Sequence, residues 1–264
     1  MTDAAFQDLI ACLRGDRPPR VWSLLVTLFG DLALHDGALV SGALLRHLSD
    51  LLGVKPEAMR VALHRLRKDG WIDSERTGRT SAYVLTDRGR SQSAAASPRI
   101  YAVGPPADRA WLVVGNPDQP LADLPDGDVP LAPNLWITPH EDQAVDAVAM
   151  ALPEGRALPD WMTLRLCDED LITASRDLAG ALAILQNRLA AAPDLTALQR
   201  AALRILIVHS WRRVVLKTPA LPDHVFPTNW QGATCRAQVA QILAACPNPG
   251  LAKLEQAVAT GLYA

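Results

Sequence analysis

The chain has 264 residues, of which 49% are hydrophobic and 20% are charged, and its formal net charge is -2. This composition excludes a disordered, collagen-like or strongly basic chain and predicts a globular protein of two or three domains. No apolar run approaches the roughly 18 residues of a membrane span, and the first residues lack the basic and apolar stretches of a secretion signal. We therefore expect a cytoplasmic protein that contacts no membrane.

The sequence lacks the residue patterns of metal, cofactor and redox sites. The four cysteines lie far apart and form no CxxC motif, which predicts reduced, mostly buried thiols rather than a zinc site or a disulfide framework. Neither a P-loop nor a G-x-G-x-x-G fingerprint occurs, and no G-x-S-x-G elbow accompanies His209 or His224. We expect no cofactor, no metal and no enzyme activity.

Residues 21–70 show the periodicity of three helices. Apolar residues recur at helical spacing over residues 21–32. A second helix can begin with Ser41 as its N-cap and end at Gly53, and a third spans residues 56–69 with a proline in its first position. The short glycine turn between the second and third helices is typical of a helix-turn-helix motif.

The third predicted helix has an apolar face and a basic face. An advance of about 100° per residue places these apolar residues on one side: Ala58, Met59, Ala62, Leu63 and Leu66. The opposite side carries Arg60, His64, Arg67 and Lys68. A solvated helix face usually alternates or pairs its charges, so this nearly pure cationic face predicts a surface for nucleic acid.

A basic hairpin is predicted directly after this helix. Residues 71–76 and 80–85 have the composition of two strands joined by a short turn with a glycine. A hairpin in this position can touch the DNA backbone while the helix enters the major groove. We expect Arg60 and His64 to contact base edges. Phosphates suit four other residues of the DNA-binding set, Arg67, Lys68, Arg76 and Arg79, and Lys55 is its seventh member. A winged helix used for protein contacts, with solvated basic residues, is the alternative.

The rest of the chain divides into a proline-rich middle and a helical end. The middle holds strand candidates at Arg99–Val103, Trp111–Val114, Leu135–Ile137 and Trp161–Leu166, and a helical signal at Gln143–Ala151. Asp168, Glu169 and Asp170 are expected to begin a helix that continues to Leu189, because carboxylates complement its dipole. A further helix follows Asp194 and reaches Arg212.

A series of motifs runs along most of the chain. It begins with the string from Met59 to Ile72, followed by Gly78-Arg79 and the segment Tyr83–Gly89. It continues with Arg99-Ile100-Tyr101, Trp111, Leu135–Pro139, Val208–Arg213, Leu221-Pro222 and Phe226–Gly232. These motifs, in this order, resemble the PaaX family of phenylacetate-degradation repressors. The chain departs from the family at Ser210 and Thr218, where the family tends to place acids.

The resemblance implies a mainly α fold with α+β parts in three domains. These are an N-terminal winged helix-turn-helix domain at 1–97, a small ferredoxin-like α+β domain at 98–170, and a C-terminal helical domain at 171–264 for effector binding and dimerisation. It further implies a homodimer that binds an inverted-repeat operator of double-stranded DNA and represses an aromatic-acid catabolic operon. An acyl-CoA such as phenylacetyl-CoA would release the DNA.

Four residues of the C-terminal region could hold the effector. The guanidinium groups of Arg212 and Arg213 match phosphate oxygens, and the indoles of Trp211 and Trp230 can stack on an adenine or an aromatic acyl group. The alternative is that the arginines complement a helix dipole and the tryptophans pack in the core. For the whole chain, the alternative to a repressor is an enzyme acting on CoA thioesters or nucleic acid with an accessory winged helix.

Overall fold

The computed structural model describes residues 1–14, 20–77, 80–118, 124, 127–141, 146–191 and 194–261. The protein is mostly helical, with two small antiparallel sheets, which agrees with the mainly α fold with α+β parts that the resemblance implies. Its contacts group the chain into two compact units. The first combines Met1–Tyr101, Ala181–Arg212 and Gln238–Ala264, and the second combines Ala102–Gly180 with Arg213–Ala237. The division into domains at 1–97, 98–170 and 171–264 stays a prediction.

The helices and strands are numbered in chain order. The first part of the chain holds α1 (Asp3–Ile10), a 3₁₀ turn (Ala11–Leu13), α2 (Val21–Leu32), β1 (Val40–Ser41), α3 (Gly42–Leu51), α4 (Pro56–Lys68), β2 (Ile72–Thr77), β3 (Thr80–Leu85) and α5 (Asp87–Ile100). The rest holds β4 (Trp111–Gly115), β5 (Val129–Ala132), β6 (Leu135–Thr138), β7 (Ala147–Ala151), α6 (Asp160–Leu166), α7 (Glu169–Ala190), α8 (Ala197–Val215), a 3₁₀ turn (Asp223–Val225), α9 (Gly232–Ala245) and α10 (Leu251–Thr260).

Local sequence signals set the ends of the helices in the first unit. The Ser41 hydroxyl accepts a hydrogen bond from the Leu44 N–H at 3.0 Å and caps α3. Gly53 follows the last turn of α3 and has φ +71°, a left-handed backbone conformation that favours glycine. Pro56 occupies the first turn of α4, where a missing N–H costs no hydrogen bond. The three helices predicted for residues 21–70 are therefore confirmed.

Helix α2 packs against two other helices of the first unit, and a small sheet lies in the same unit. α2 packs against α4 and α5, and β1, β3 and β2 form a three-stranded antiparallel sheet in that order. The C-terminal helix α10 packs against α3 and β1. Its Glu255 carboxylate accepts a hydrogen bond from the Ser41 N–H at 2.8 Å. An element from the end of the chain therefore completes the start of α3.

The second unit contains an antiparallel sheet with the strand order β5-β6-β4-β7. Its core on one face is a cluster of Trp111, Val113 and Trp136. A Cβ added at Gly115 would lie 2.9 Å from the Trp136 ring, so this position needs a glycine for the close contact. Helix α6 packs against β5.

Three sequence predictions for the middle of the chain are wrong. Arg99 and Ile100, predicted in a strand, end helix α5, which Thr86 caps at its start. Residues 161–166, also predicted as a strand, form α6, because the buried Met162 and Leu166 have helical spacing. The helix predicted at 143–151 is strand β7 from Ala147 onward, where pairing with β4 overrides the helix propensity of alanine; residues 143–145 lie outside the described residues.

The cysteine prediction is confirmed. All four thiols are free, and three of them are buried: Cys167, Cys235 and Cys246. Burial raises the pKa of Cys167 and of Cys235 to about 12, so these thiols are protonated at neutral pH. A thiol without thiolate character is a poor nucleophile and a poor metal ligand, so these groups serve as small apolar side chains.

Candidate nucleic-acid interface

Helix α4 is fixed by its apolar face and presents its basic face to solvent. Its buried residues are Met59, Ala62, Leu63 and Leu66. The opposite face carries four exposed side chains: Arg60, His64, Arg67 and Lys68. Lys55 at the N-cap and Val61 are exposed as well. Within the part of the chain that the structure describes, none of these four forms an ion pair with a carboxylate. The charges of Arg60, Arg67 and Lys68 are therefore available to a ligand.

Arg65 differs from the other arginines of α4. Its guanidinium lies 5.0 Å from the centre of the Trp22 ring on α2, a cation–π contact. It also forms an ion pair with Asp69, with 3.5 Å between Nε and Oδ2. Because both contacts are internal, Arg65 holds α4 against α2 and neutralises the acid at the end of the helix.

The turn before α4 and the chain after it fix the position of the basic face. The Val54 N–H donates to the Ser49 carbonyl at 2.8 Å across the turn. At the other end, the Thr86 hydroxyl donates to the Gly70 carbonyl at 2.6 Å. A Cβ at Gly89 would lie 2.2 Å from the Trp71 carbonyl oxygen, so only glycine permits this close approach between α5 and the segment that joins α4 to β2.

One described residue of the predicted DNA-binding set, Arg76, belongs to the hairpin. β2 and β3 pair in antiparallel register from Ile72 with Leu85 to Thr77 with Thr80. Arg76 lies on β2 opposite Ser81. Its side chain and the whole of Arg79 lie outside the described residues. Their contacts with DNA stay predictions.

The four proposed effector residues belong to different parts of the protein. Trp211 and Arg212 belong to the first unit, and Arg213 and Trp230 to the second. Trp211 is 1% exposed and donates from Nε1 to the Ile100 carbonyl at 3.0 Å. Trp230 stacks on Phe226 with 5.6 Å between ring centres, and Arg213 is exposed. Neither unit by itself contains all four residues. Trp211 is packed in the core, as expected if it does not bind the effector.

Arg212 contributes to a polar cluster inside the first unit. Its Nη1 donates to the Thr27 hydroxyl at 3.0 Å, and the Nδ1 of the buried His209 lies 3.4 Å from the same oxygen. Burial lowers the pKa of Arg212. A cavity of about 40 Å³ adjoins this side chain, with Ser93 and Tyr101 among its other lining residues. This volume accommodates a water molecule but not a CoA ester.

A buried ion pair lies beside the cavity of about 40 Å³. No sequence pattern indicates this pair. The carboxylate of Asp31 on α2 accepts from the Arg204 guanidinium of α8 at 3.0 Å and from the Tyr101 hydroxyl at 2.7 Å. Arg204 also donates to the carbonyls of Leu243 and Cys246 at 3.4 and 3.0 Å. Burial, together with the charge of Asp31, raises the pKa of Tyr101 above its ordinary value. This cluster joins α2, α8 and the end of α9.

A larger groove of about 670 Å³ lies between the start of α8 and α10. Two cationic side chains, Arg200 and Lys253, line it together with polar residues that include Thr196 and Asn248. The volume is within the range of small-molecule sites. Among the described residues, no group of three or more His, Cys, Asp or Glu could hold a metal ion. No helix in the described ranges is both long enough and apolar enough to cross a membrane.

Comparison with known proteins identifies the family. A family model described as PaaX-like protein matches residues 20–89, and one described as PaaX-like protein C-terminal domain matches residues 170–255. The chain is 32% identical over 247 residues to the transcriptional repressor PaaX of Escherichia coli strain K12, and the match covers 81% of this chain and 76% of that protein.

A solved structure, the uncharacterized protein Rv0674 from Mycobacterium tuberculosis, is 21% identical to this chain. That comparison covers 92% of this chain and 100% of the other, with a TM-score of 0.49. The family assignment depends on the two matched domains and on the E. coli relative, which agree over most of the chain. The chain belongs to the PaaX family, whose E. coli member is a transcriptional repressor.

Proposed function

We propose that this protein is a transcriptional repressor that binds double-stranded DNA through α4. The observation that carries this proposal is the exposed basic face of α4, whose cations have no internal ion pairs among the described residues. Phosphate charges supply most of the affinity of a protein for DNA, and a cationic helix of this size fits the major groove. Membership in the family of a known repressor supports the same conclusion.

In this proposal residues 1–97 form a winged helix-turn-helix domain. α3 and α4, with the tight turn at Gly53, are the helix-turn-helix, and the β2–β3 hairpin is the wing. Arg60 and His64 lie in the first half of α4, the part of a recognition helix that reaches base edges. Lys55, Arg67 and Lys68 serve phosphates, and Arg76 and Arg79 bring the wing to the DNA backbone.

We further propose a ferredoxin-like α+β fold for the middle domain, residues 98–170. In that fold the second strand pairs with the third, the third with the first, and the first with the fourth, all antiparallel. The order β5-β6-β4-β7 is this order. The described residues between β4 and β7 include no helix, so support for this part comes from the sheet alone. Residues 171–264 would form the C-terminal helical domain.

The repressor would act as a homodimer in the cytoplasm on an inverted-repeat operator, because a two-fold dimer presents two recognition helices to two half-sites. Its operon would encode the breakdown of an aromatic acid, and an acyl-CoA such as phenylacetyl-CoA would release the DNA. An effector can do so only by binding one arrangement of the dimer better than the other. Trp211, Arg212, Arg213 and Trp230 remain the proposed effector residues. The groove beside Arg200 is a second place to test.

The test is a gel shift with the DNA upstream of the protein's own gene, titrated with a panel of acyl-CoAs. The expected result is sequence-specific binding that weakens with salt and is lost with one class of acyl-CoA. Failure to bind any fragment of this DNA would instead favour a protein-interaction role for the basic surface. Turnover of an acyl-CoA or cleavage of DNA in the same mixtures would support the alternative, an enzyme with an accessory winged helix.

A further inference from the structure

Helix α4 carries one large apolar side chain on its solvent side. Val61 is 70% exposed, whereas the buried apolar residues of the same helix, Met59, Ala62, Leu63 and Leu66, are at most 9% exposed. Val61 therefore contributes little to the packing of α4 on α2. An exposed apolar residue is common in proteins, but here it is placed among charged residues on the surface proposed to meet DNA.

The helix itself gives no reason for a valine at this position. β-Branched residues lose side-chain freedom in helices and are less favourable there than alanine, lysine or arginine. A residue with this exposure also recovers little free energy from burial in the monomer. Neither helix propensity nor packing in the monomer therefore explains the valine at this position.

The surroundings of Val61 on the helix place it in the base-contacting region. It follows Arg60 directly, and His64 is its neighbour one turn later, since residues three apart adjoin on a helix surface. Arg65, four residues later, is turned to Trp22 and Asp69 and so does not cover it. Val61 is thus an exposed apolar side chain beside His64 on the outer face of α4.

We propose that Val61 contacts the 5-methyl group of a thymine in the operator. This inference rests on the proposed DNA-binding function and adds a specificity determinant to it. In the major groove the thymine methyl is the apolar feature that distinguishes the base pairs, and small apolar side chains are its usual partners. Arg60 and His64 provide hydrogen bonds to bases, and Val61, beside His64, provides an apolar contact.

The experiment uses the full-length protein and the duplex that it protects in a footprint of the DNA upstream of its own gene. Each thymine is replaced in turn by deoxyuridine, which removes only the methyl group and keeps the base pair. Dissociation constants are measured for the wild type and for Val61→Ala. Val103→Ala is the matched control, because Val103 is also a valine, is 78% exposed and lies outside α4.

For the wild type we expect at least one thymine in each half-site whose replacement weakens binding about three- to fivefold. This is the change in affinity that corresponds to the burial of one methyl group. Val61→Ala should bind the thymine and deoxyuridine duplexes equally, whereas Val103→Ala should keep the wild-type ratio. Val61→Ser should behave as Val61→Ala does, which guards against a fault peculiar to one variant.

Two outcomes overturn the inference while leaving the proposed function intact. One is specific binding by the wild type with no thymine that depends on its methyl group. The other is a Val61→Ala protein that keeps the wild-type dependence on deoxyuridine. If the wild type binds no upstream DNA specifically, the proposed function fails and the contact with thymine fails with it.

Discussion

Helices α4 and α8 both carry arginines, but they use them in opposite ways. Arg60 and Arg67 of α4 are exposed and form no ion pair among the described residues, whereas Arg204 of α8 is 8% exposed and has three internal acceptors. A buried guanidinium needs all its partners, because an unpaired buried charge is costly. An exposed cation without a partner contributes little to folding and remains available for an anionic ligand. Burial and pairing, rather than residue type, separate the arginines of the fold from those proposed to bind DNA.

The largest effect should come from breaking the buried pair on α8. Arg204→Ala leaves the Asp31 carboxylate and two carbonyls without their donor, so we expect a loss of about 3–5 kcal/mol in the free energy of unfolding. Urea denaturation followed by circular dichroism measures it. Arg213→Ala, at an exposed position, should change stability by less than about 0.5 kcal/mol. Equal losses in the two variants would contradict the structural role of Arg204.

The next effect concerns specificity on α4. Arg60→Ala should weaken binding to the operator by about 1–3 kcal/mol, while binding to random DNA falls much less, because a lost base contact costs discrimination. Competition gel shifts at fixed salt provide the ratio of the two affinities. The stability of this variant should match that of the wild type. If random and specific DNA lose affinity equally, Arg60 contacts a phosphate.

A phosphate contact should change the salt dependence. Lys68→Ala should weaken specific and random DNA similarly and should lower the slope of log affinity against log salt by about 1. Titrations at several salt concentrations yield this slope. Lys217→Ala, which removes an exposed lysine outside α4, is the matched control and should leave the slope unchanged. An unchanged slope in Lys68→Ala would remove this residue from the DNA-binding set.

The smallest effect is a pH dependence at the buried cluster. Because the pKa of Tyr101 in the folded protein lies above its ordinary value of 10.0, the unfolded chain releases this proton first as the pH rises. The stability contributed by Tyr101 is therefore present below about pH 10 and is lost at higher pH. Tyr101→Phe should show a shallower loss of stability between pH 9 and 11 in thermal melts. Parallel curves for the two proteins would show that Tyr101 does not titrate differently on folding.

The sequence predicts α4 and its basic face because every signal involved is local. The Pro56 start, the glycine at position 70 and the apolar spacing lie within fifteen residues of one another, and the structure agrees with them. The pair of Asp31 and Arg204 joins residues 173 positions apart. No periodicity connects such residues, and each looks like an ordinary surface charge when taken alone.

The errors in the middle of the chain have a related cause. The segment at Ala147–Ala151 is alanine-rich and short, so its own preference is helical, yet all five of its residues pair with β4. In the same way, Trp211 and Arg212 were assigned from their side-chain chemistry. Their contacts with Ile100 and Thr27, more than 100 residues earlier, could not be read from that chemistry.

The hydrogen bond between Ser41 and Glu255 has a consequence for the order in which the protein is completed. The two residues are separated by 214 positions, so a ribosome has exposed α2 to α5 long before it adds the helix that packs on α3. A nascent chain that has not reached Glu255, or a fragment ending at residue 97, lacks this partner and leaves the surface of α3 that α10 covers open to water. The amino-terminal region therefore reaches its final form only after α10 has been synthesised, and a product terminated before that point does not carry a finished copy of it.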